Sequence, residues 1–419
     1  MKILVVGSGG REHAIVWKLA QSPKKPELYC APGNAGIAQI AKCVPIKATD
    51  IDGMVRFAVE EQIDLTVVAP DDPLAMGMVD ALNKAGKRAF GPTADAAVIE
   101  ASKSFSKNLM RKYHIPTAQY AVFEQSELAE VYLEQCSYPI VIKADGLALG
   151  KGVIIAQNRQ EAVAAVRGML QQNLFGKAGS KVVIEEFMTG PEVSMLCFTD
   201  GKTIVPMVTS QDHKRAMDND EGLNTGGMGT FSPSVHYDPE QYDAYVTENI
   251  LTRTVDAMNS EGRTFKGVLY VGLMLTPGGV KVLEYNARFG DPETQVILPR
   301  LKTDLVDIFE AVIDQRLEEI DIEWEKDPCV CVIMASGGYP QKYHVGYEIT
   351  GVKEAEMAGC TVFHAGTAMK DGKLVTNGGR VLGVTAMAES IAAAREKAYK
   401  AVKMISFEGA HYRTDIGIK

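Results

Sequence analysis

The run Val280-Lys-Val-Leu-Glu-Tyr-Asn286 ends in two oxygen-bearing side chains, Glu284 and Asn286, spaced so that a strand presents both on one face. A carboxylate and an amide oxygen are hard ligands, suited to magnesium or manganese bridging phosphates. Arg288 follows at the same spacing and faces the same side, placed to neutralise a transferring phosphoryl group or an acyl carboxylate. A second polar cluster, Ser210-Gln-Asp-His-Lys-Arg215, interrupts apolar runs. It suits a zwitterion, with Asp212 toward an ammonium and Lys214 or Arg215 toward a carboxylate; the loop Asn224-Thr-Gly-Gly-Met-Gly229 follows it. A lone histidine such as His213 reads as a hydrogen-bonded structural group before it reads as a base, and His13 and His411 have less claim still.

Two glycine-rich stretches add phosphate-directed chemistry. Gly7-Ser-Gly-Gly10 joins an apolar run to a helical one, and its backbone N–H groups suit an anion at a helix N-terminus. It fails as a dinucleotide fingerprint, because Glu12 stands where the third glycine belongs. Ala144-Asp-Gly-Leu-Ala-Leu-Gly-Lys-Gly152 misses the P-loop spacing and lacks Ser or Thr after Lys151. It reads instead as a hairpin loop that closes over phosphates, with Lys143 at the end of the preceding strand.

These residues need several scaffolds. A chain of 419 residues implies about three domains. Its composition, 46% hydrophobic and 23% charged, is that of a globular protein. The net charge of −9 argues against nucleic acid and anionic membranes as partners. Met1–Val6 is too short an apolar run for a signal-peptide core, and no stretch has the length of a membrane span, so a cytoplasmic location is expected. Seven cysteines without a C-x-x-C pair read as buried, reduced thiols rather than a zinc site. Over the first hundred residues, unalternating strands at Lys2–Val6, Leu28–Ala31 and Leu65–Ala69 alternate with helices and predict a parallel sheet. Its ligand rim would be Gly7–Gly10, Pro32–Gly36 and Pro70–Asp72. Further strands are predicted at 139–143, 151–155, 181–187, 193–208, 268–275 and 280–286, with helices at 160–172 and 305–313. The charged stretch Glu318–Pro328 marks a boundary before a last α/β block.

Together these motifs resemble the glycinamide ribonucleotide synthetases, the phosphoribosylamine–glycine ligases of purine biosynthesis, within the ATP-grasp superfamily. The resemblance rests on Gly7–Ala14, Pro32–Gly36, Tyr138–Gly146, Ser210–Arg215, Asn224–Gly229, Glu284–Gln295, Gly337–Pro340, Phe363–Thr367 and Asn377–Gly383, and so covers essentially the whole chain. It implies a mixed α/β and α+β multidomain fold. The parts would be an N-terminal parallel-sheet domain (1–102), an ATP-grasp lid with its connecting segment (103–190), a central ATP-grasp domain (191–327) and a small C-terminal α/β domain (328–419). It implies ATP-dependent joining of glycine to 5-phosphoribosylamine through a glycyl phosphate, by a cytoplasmic monomer. Carried over residue by residue, Lys103, Lys143 and Gly150 would contact ATP phosphates, the segment Glu185, Glu186, Phe187 and Met188 adenine, and Glu192 the ribose. Glu284 and Asn286 would hold the metal. Gly9, Gly10, Asp71, Asp212, Lys214, Gly227 and Arg288 would bind substrate, with Arg288, Asp212 and Lys143 catalytic.

Two departures stand out. The family's usual Pro-Glu is Pro70-Asp71 here, and Tyr270-Val-Gly272 supplies no acidic ligand on the strand before Glu284, which leaves the number of metal ions open. Two rival readings are a purine-pathway carboxylase or formate-dependent transformylase, and a regulatory protein that binds ATP without ligating. Gln211–Arg215 and Asn224–Gly229 argue against the first; an intact Lys143, Glu284, Asn286 and Arg288 argue against the second.

Overall fold

The predicted parallel sheet forms from five strands in the order Lys42–Cys43, Glu27–Pro32, Lys2–Gly7, Leu65–Val68 and Arg88–Phe90. The strand order reverses beside Lys2–Gly7, so its carboxyl end and that of Leu65–Val68 open a crevice. Gly7–Gly10 and Asp71, the first residue of the helix Asp71–Ala75, stand at that crevice. This computed structural model describes residues 1–147, 152–171 and 179–418.

Two antiparallel sheets follow. The lid sheet runs Tyr120–Phe123, Val182–Glu186, Ile140–Ala144, Val153–Ala156, covered by helices Ser126–Leu133 and Arg159–Leu170. The helix predicted at 160–172 thus starts one residue earlier, where Asn158 caps it by accepting from the Glu161 N–H. The central sheet runs Ile204–Pro206, Glu192–Thr199, Gly267–Thr276, Gly279–Asn286. The fourth sheet orders Gln211–Asp212, Gly229–Ser232, Cys329–Ala335, Arg380–Met387 and Thr361–His364. Two of its strands come from the 211–232 segment, so this sheet straddles the boundary that the charged stretch at 318–328 suggests.

Packing separates the lid from the rest. Its core, with Leu133, Ile142, Val166 and Ile184 fully buried, is drawn from residues 123–184 alone. By contrast, Leu4 and Val6 of the first sheet share one core with Leu269, Val271 and Val282 of the central sheet. Ile3 and Val5 share another with Phe198, Phe309 and Ile333. Each such side chain contributes about 1.5–3 kcal/mol on burial, so these domains form one rigid frame while the lid has its own. Five of the seven thiols are buried; Cys43 is exposed and Cys136 half-buried, a correction to the expectation for those two. No helix among the described residues is long and apolar enough to cross a membrane.

Candidate active site between the sheets

The strand Gly279–Asn286 ends at Glu284 and Asn286, as its spacing predicts, and Gly272 pairs opposite Glu284 across the ladder. The neighbouring strand therefore offers no second carboxylate there. Glu284 makes no side-chain hydrogen bond or ion pair among the described residues. Burial alone would raise its pKa, but Lys214, Lys143, Lys103 and Arg288 outweigh it and hold the carboxyl below its ordinary range. An ionised oxygen ligand with no protein partner is what a divalent cation needs. No group of three or more His, Cys, Asp or Glu side chains that could hold a metal exists among the described residues.

Arg288 lies beside Asn286, donating to its Oδ1 at 3.1 Å and to the Phe289 carbonyl at 3.1 Å. Its other partner is Glu100, 2.9 Å away, whose second oxygen accepts the Ala287 N–H at 2.8 Å. The Nε–H of Arg288 is buried without a partner. Glu100 was not legible in the sequence: it sits on the unremarkable helix Ala94–Ala101, and only the fold brings it here. Burial raises its pKa against the pull of Arg288. Asp71 also faces Arg288 and Arg11, which together overcome burial and lower its pKa. The shorter side chain at this position is therefore still within the field of Arg288.

The amino-acid cluster is split by the structure. Asp212 is half-buried with its Oδ1 enclosed and unpartnered, and its pKa is raised by desolvation and by nearby Glu293, against Lys214 and Arg380. Glu293 is itself buried, near Ser194 Oγ at 3.3 Å and Tyr270 Oη at 3.2 Å. Gly227 has φ +110°, and a Cβ there would lie 2.7 Å from Asp212 Oδ1 and 2.5 Å from Pro292 Cδ. Lys214 pairs with Glu192 at 2.6 Å; although it is hemmed in by protein, its side chain keeps 41% exposure to the cleft. Burial would lower its pKa, and Glu192 with Glu284 more than reverse that. Arg215 donates to the Gly222 carbonyl at 2.8 Å. His213 Nδ1 is 3.2 Å from the Gly229 carbonyl, a structural contact, and burial lowers its pKa.

On the lid, Glu185 is shared by Lys143 at 3.1 Å and Lys107 at 2.9 Å, leaving its Oε1 buried and unpartnered. The two ammonium groups hold Glu185 low despite burial, while burial takes Lys107 down to about 8. Lys103 donates to the Gly146 carbonyl at 3.0 Å, and burial lowers its pKa. Glu186 pairs with Lys281 at 2.8 Å, tying the lid to the central sheet. Met188 is buried and Phe187 39% exposed. Gly150 lies outside the described residues.

One expectation needs revision. The Gly9 N–H, read as a phosphate donor, already donates to Glu12 Oε2 at 2.6 Å. The signal was present as a cap residue followed three positions on by Glu. Both glycines also allow close approach: a Cβ at Gly9 would lie 2.9 Å from Glu12 Oε2, and one at Gly10 would lie 2.6 Å from Gln295 Nε2.

Profiles described as phosphoribosylglycinamide synthetase match residues 1–100 (N domain), 101–294 (ATP-grasp domain) and 329–419 (C domain). A phosphoribosylamine–glycine ligase of Caldanaerobacter subterraneus is 50% identical over 416 residues, 99% of each chain. The trifunctional purine biosynthetic protein adenosine-3 of Gallus gallus is 50% identical over 422 residues, matching all of this chain and 42% of that protein. Among solved structures, the phosphoribosylamine–glycine ligase of Thermotoga maritima superposes with a TM-score of 0.88 at 35% identity, covering 99% and 100% of the two chains. A biotin carboxylase domain from Hydrogenobacter thermophilus shares the fold alone, with a TM-score of 0.74 at 16% identity over 98% and 91%. With the same motifs gathered on one cleft and matches spanning all three domains, the chain belongs to the phosphoribosylglycinamide synthetase family.

Proposed function

We propose that the chain ligates glycine to 5-phosphoribosylamine at the expense of ATP, giving glycinamide ribonucleotide, ADP and phosphate. The observation that carries this reading is the convergence of Asp212, Lys214, Glu284 and Arg288 on one cleft beside the lid's Lys143 and Lys103, each within electrostatic reach of the next. ATP is the phosphoryl donor; Glu284 and Asn286 hold magnesium or manganese, which neutralises phosphate charge when bound. Five buried free thiols suit a reducing cytoplasm, and the protein works as a monomer.

A carboxylate is a poor electrophile, so glycine is first phosphorylated to an acyl phosphate. Asp212 holds the glycine ammonium and Lys214 its carboxylate. Arg288, whose Nε–H is buried and unpartnered and so free to donate a charge-assisted hydrogen bond, stabilises charge on the transferring group. Lys143 and Lys103 hold the ATP phosphates, Glu185 to Met188 the adenine, and Glu192 the ribose. Gly9, Gly10 and Asp71 border the phosphoribosylamine site, whose amine attacks the acyl carbon and expels phosphate. No covalent enzyme nucleophile is needed, and positioning supplies most of the rate. The lid, with its separate core, excludes water from the acyl phosphate.

The test is ADP release dependent on both glycine and phosphoribosylamine, with the product identified by mass spectrometry. Equal turnover with bicarbonate or formate in place of glycine would refute the reading.

A further inference from the structure

The segment from Gln211 to Ser232 carries Asp212, Lys214 and Gly227, yet it is built into the C-terminal sheet. Gln211–Asp212 pairs with Gly229–Ser232, and that strand pairs with Cys329–Ala335. Between these strands, the peptide group of Gly226 is gripped from both sides by C-terminal side chains. Its N–H donates to Tyr339 Oη at 3.0 Å, and its carbonyl accepts from Arg380 Nη1. Arg380 also donates to the Asp291 carbonyl at 2.9 Å and pairs with the Asp291 carboxylate at 3.1 Å. It thus fixes the Gly226–Gly227 turn and the loop after Arg288 to each other. The contact is tight: a Cβ at Gly226 would lie 3.1 Å from Arg380 Cζ.

The other arm of the segment is held likewise. Arg413, with a fully buried side chain, donates to the Arg215 carbonyl at 3.1 Å and pairs with Asp220 at 3.0 Å and Asp415 at 2.6 Å. His411 Nε2 lies 2.7 Å from the Ala216 carbonyl. Glycine-rich backbone has the most freedom to lose, and the result of fixing it is specific: Gly227 closes on the unpartnered Oδ1 of Asp212.

We propose that Tyr339 and Arg380 are positioning residues for the amino-acid site, so that the C-terminal domain is the template on which the 224–229 loop takes its binding shape before glycine arrives. This rests on reading Asp212 and Gly227 as the glycine site. A loop ordered in advance leaves less ordering entropy to be lost on binding, so loosening it weakens glycine binding while the phosphoryl-transfer groups stay in place.

The experiment combines amide hydrogen exchange of the peptide covering 224–229, in the substrate-free full chain, with Michaelis constants for all three substrates. Tyr339→Phe removes one hydroxyl from a retained ring. It should speed exchange at Gly226 and raise the glycine KM about three- to tenfold, the worth of one hydrogen bond, with the ATP KM and kcat within about twofold. Arg380→Gln should do more, and Arg380→Lys, which keeps the charge toward Asp291, should recover part of the loss. Tyr343→Phe is the control, since that hydroxyl makes no hydrogen bond among the described residues. Unchanged exchange in Tyr339→Phe overturns the proposal, as does faster exchange with every Michaelis constant unchanged. Faster exchange with a raised phosphoribosylamine KM in place of the glycine KM would leave the positioning role standing and overturn the glycine assignment of the loop.

Discussion

Glu100→Gln is the sharpest probe of how Arg288 is held. The carboxylate forms an ion pair with Arg288 Nη2 at 2.9 Å and accepts a hydrogen bond from the Ala287 N–H at 2.8 Å. Glutamine keeps the volume but has one oxygen for two donors, so its NH2 group must face either the guanidinium or the Ala287 N–H. One buried donor is stranded, at a cost of about 1–3 kcal/mol. If all of that loss displaces Arg288, the limit on kcat is a fall of roughly 5- to 150-fold, at 1.36 kcal/mol per factor of ten. Alanine is a poorer probe, because leaving the buried guanidinium unpaired costs about 3–5 kcal/mol and endangers the fold. The assay is steady-state ADP release at saturating substrates, run beside thermal unfolding. Glu100→Gln should lower kcat with the ATP KM within about twofold, since Arg288 acts on charge that develops during transfer. A double-mutant cycle separates position from bulk stability. In an Arg288→Ala background, itself expected to lose turnover far more than ATP affinity, Glu100→Gln should have little further effect on kcat. Additive losses in the double variant, or a raised ATP KM with unchanged kcat, would refute the reasoning.

Glu284→Gln removes the one ionised oxygen at the end of its strand, so the magnesium concentration for half-maximal activity should rise at least about tenfold; an unchanged metal titration means Glu284 is not a ligand. Gly227→Ala combines φ +110° with a Cβ placed 2.5 Å from Pro292 Cδ. The strain of about 1–3 kcal/mol should appear as a raised glycine KM, and wild-type kinetics would place the loop away from the amino acid. Burial, aided for His13 by its neighbour His364, lowers the pKa of His13 from 6.5 to about 3, and burial lowers that of His364 to about 4. Depressed folded-state values mean that their stabilisation is present above pH 6.5 and lost as pH falls toward 4. Each contributes a slope of about 1.4 kcal/mol per pH unit across that window. Denaturant midpoints at pH 7 and pH 5 should show this, and His364→Gln should reduce the slope, with His13 and His213, whose pKa burial also lowers, contributing the rest; a pH-independent midpoint would show that none of the three histidines is kept neutral.

What the sequence revealed follows the range of the interactions concerned. Glu284 and Asn286 are legible because a period of two on one strand fixes their common face without any knowledge of a partner, whereas Arg288 lies in the bend beyond the strand's end and meets Asn286 through its side chain. Lys143 is legible for a similar reason, at the end of a strand before a glycine-rich turn. Glu100 and Arg380 are invisible to such reasoning. Glu100 meets Ala287 across 187 residues, and Arg380 meets Gly226 across 154. Neither carries a local signature, since a Glu near the end of a short Ala-rich helix and an Arg after two glycines are ordinary. The 211–232 strands show the same limit: the sequence reads this segment as a polar cluster followed by a loop, and neither its short strands nor the sheet that receives them carries a local signal.

The charge of the chain, −9, and the anionic substrates proposed for it are reconciled by how the cations are kept. Lys214 rests on Glu192, Lys143 and Lys107 on Glu185, Arg288 on Glu100, and Arg380 on Asp291. Each of these five cations is thereby paired in the absence of ligand, which offsets the cost of enclosing it in protein. Of the eight buried side-chain atoms without a partner among the described residues, three belong to residues of the proposed site: Arg288 Nε, Glu185 Oε1 and Asp212 Oδ1. A ligand gains most by meeting those three atoms at once, with a donor for each carboxylate oxygen and an acceptor for the guanidinium. A zwitterion beside an adenine nucleotide offers that set, whereas phosphate alone meets only one of the three. Selectivity here comes from leaving specific buried atoms unpaired, because an unmade buried hydrogen bond costs more than a made one gains.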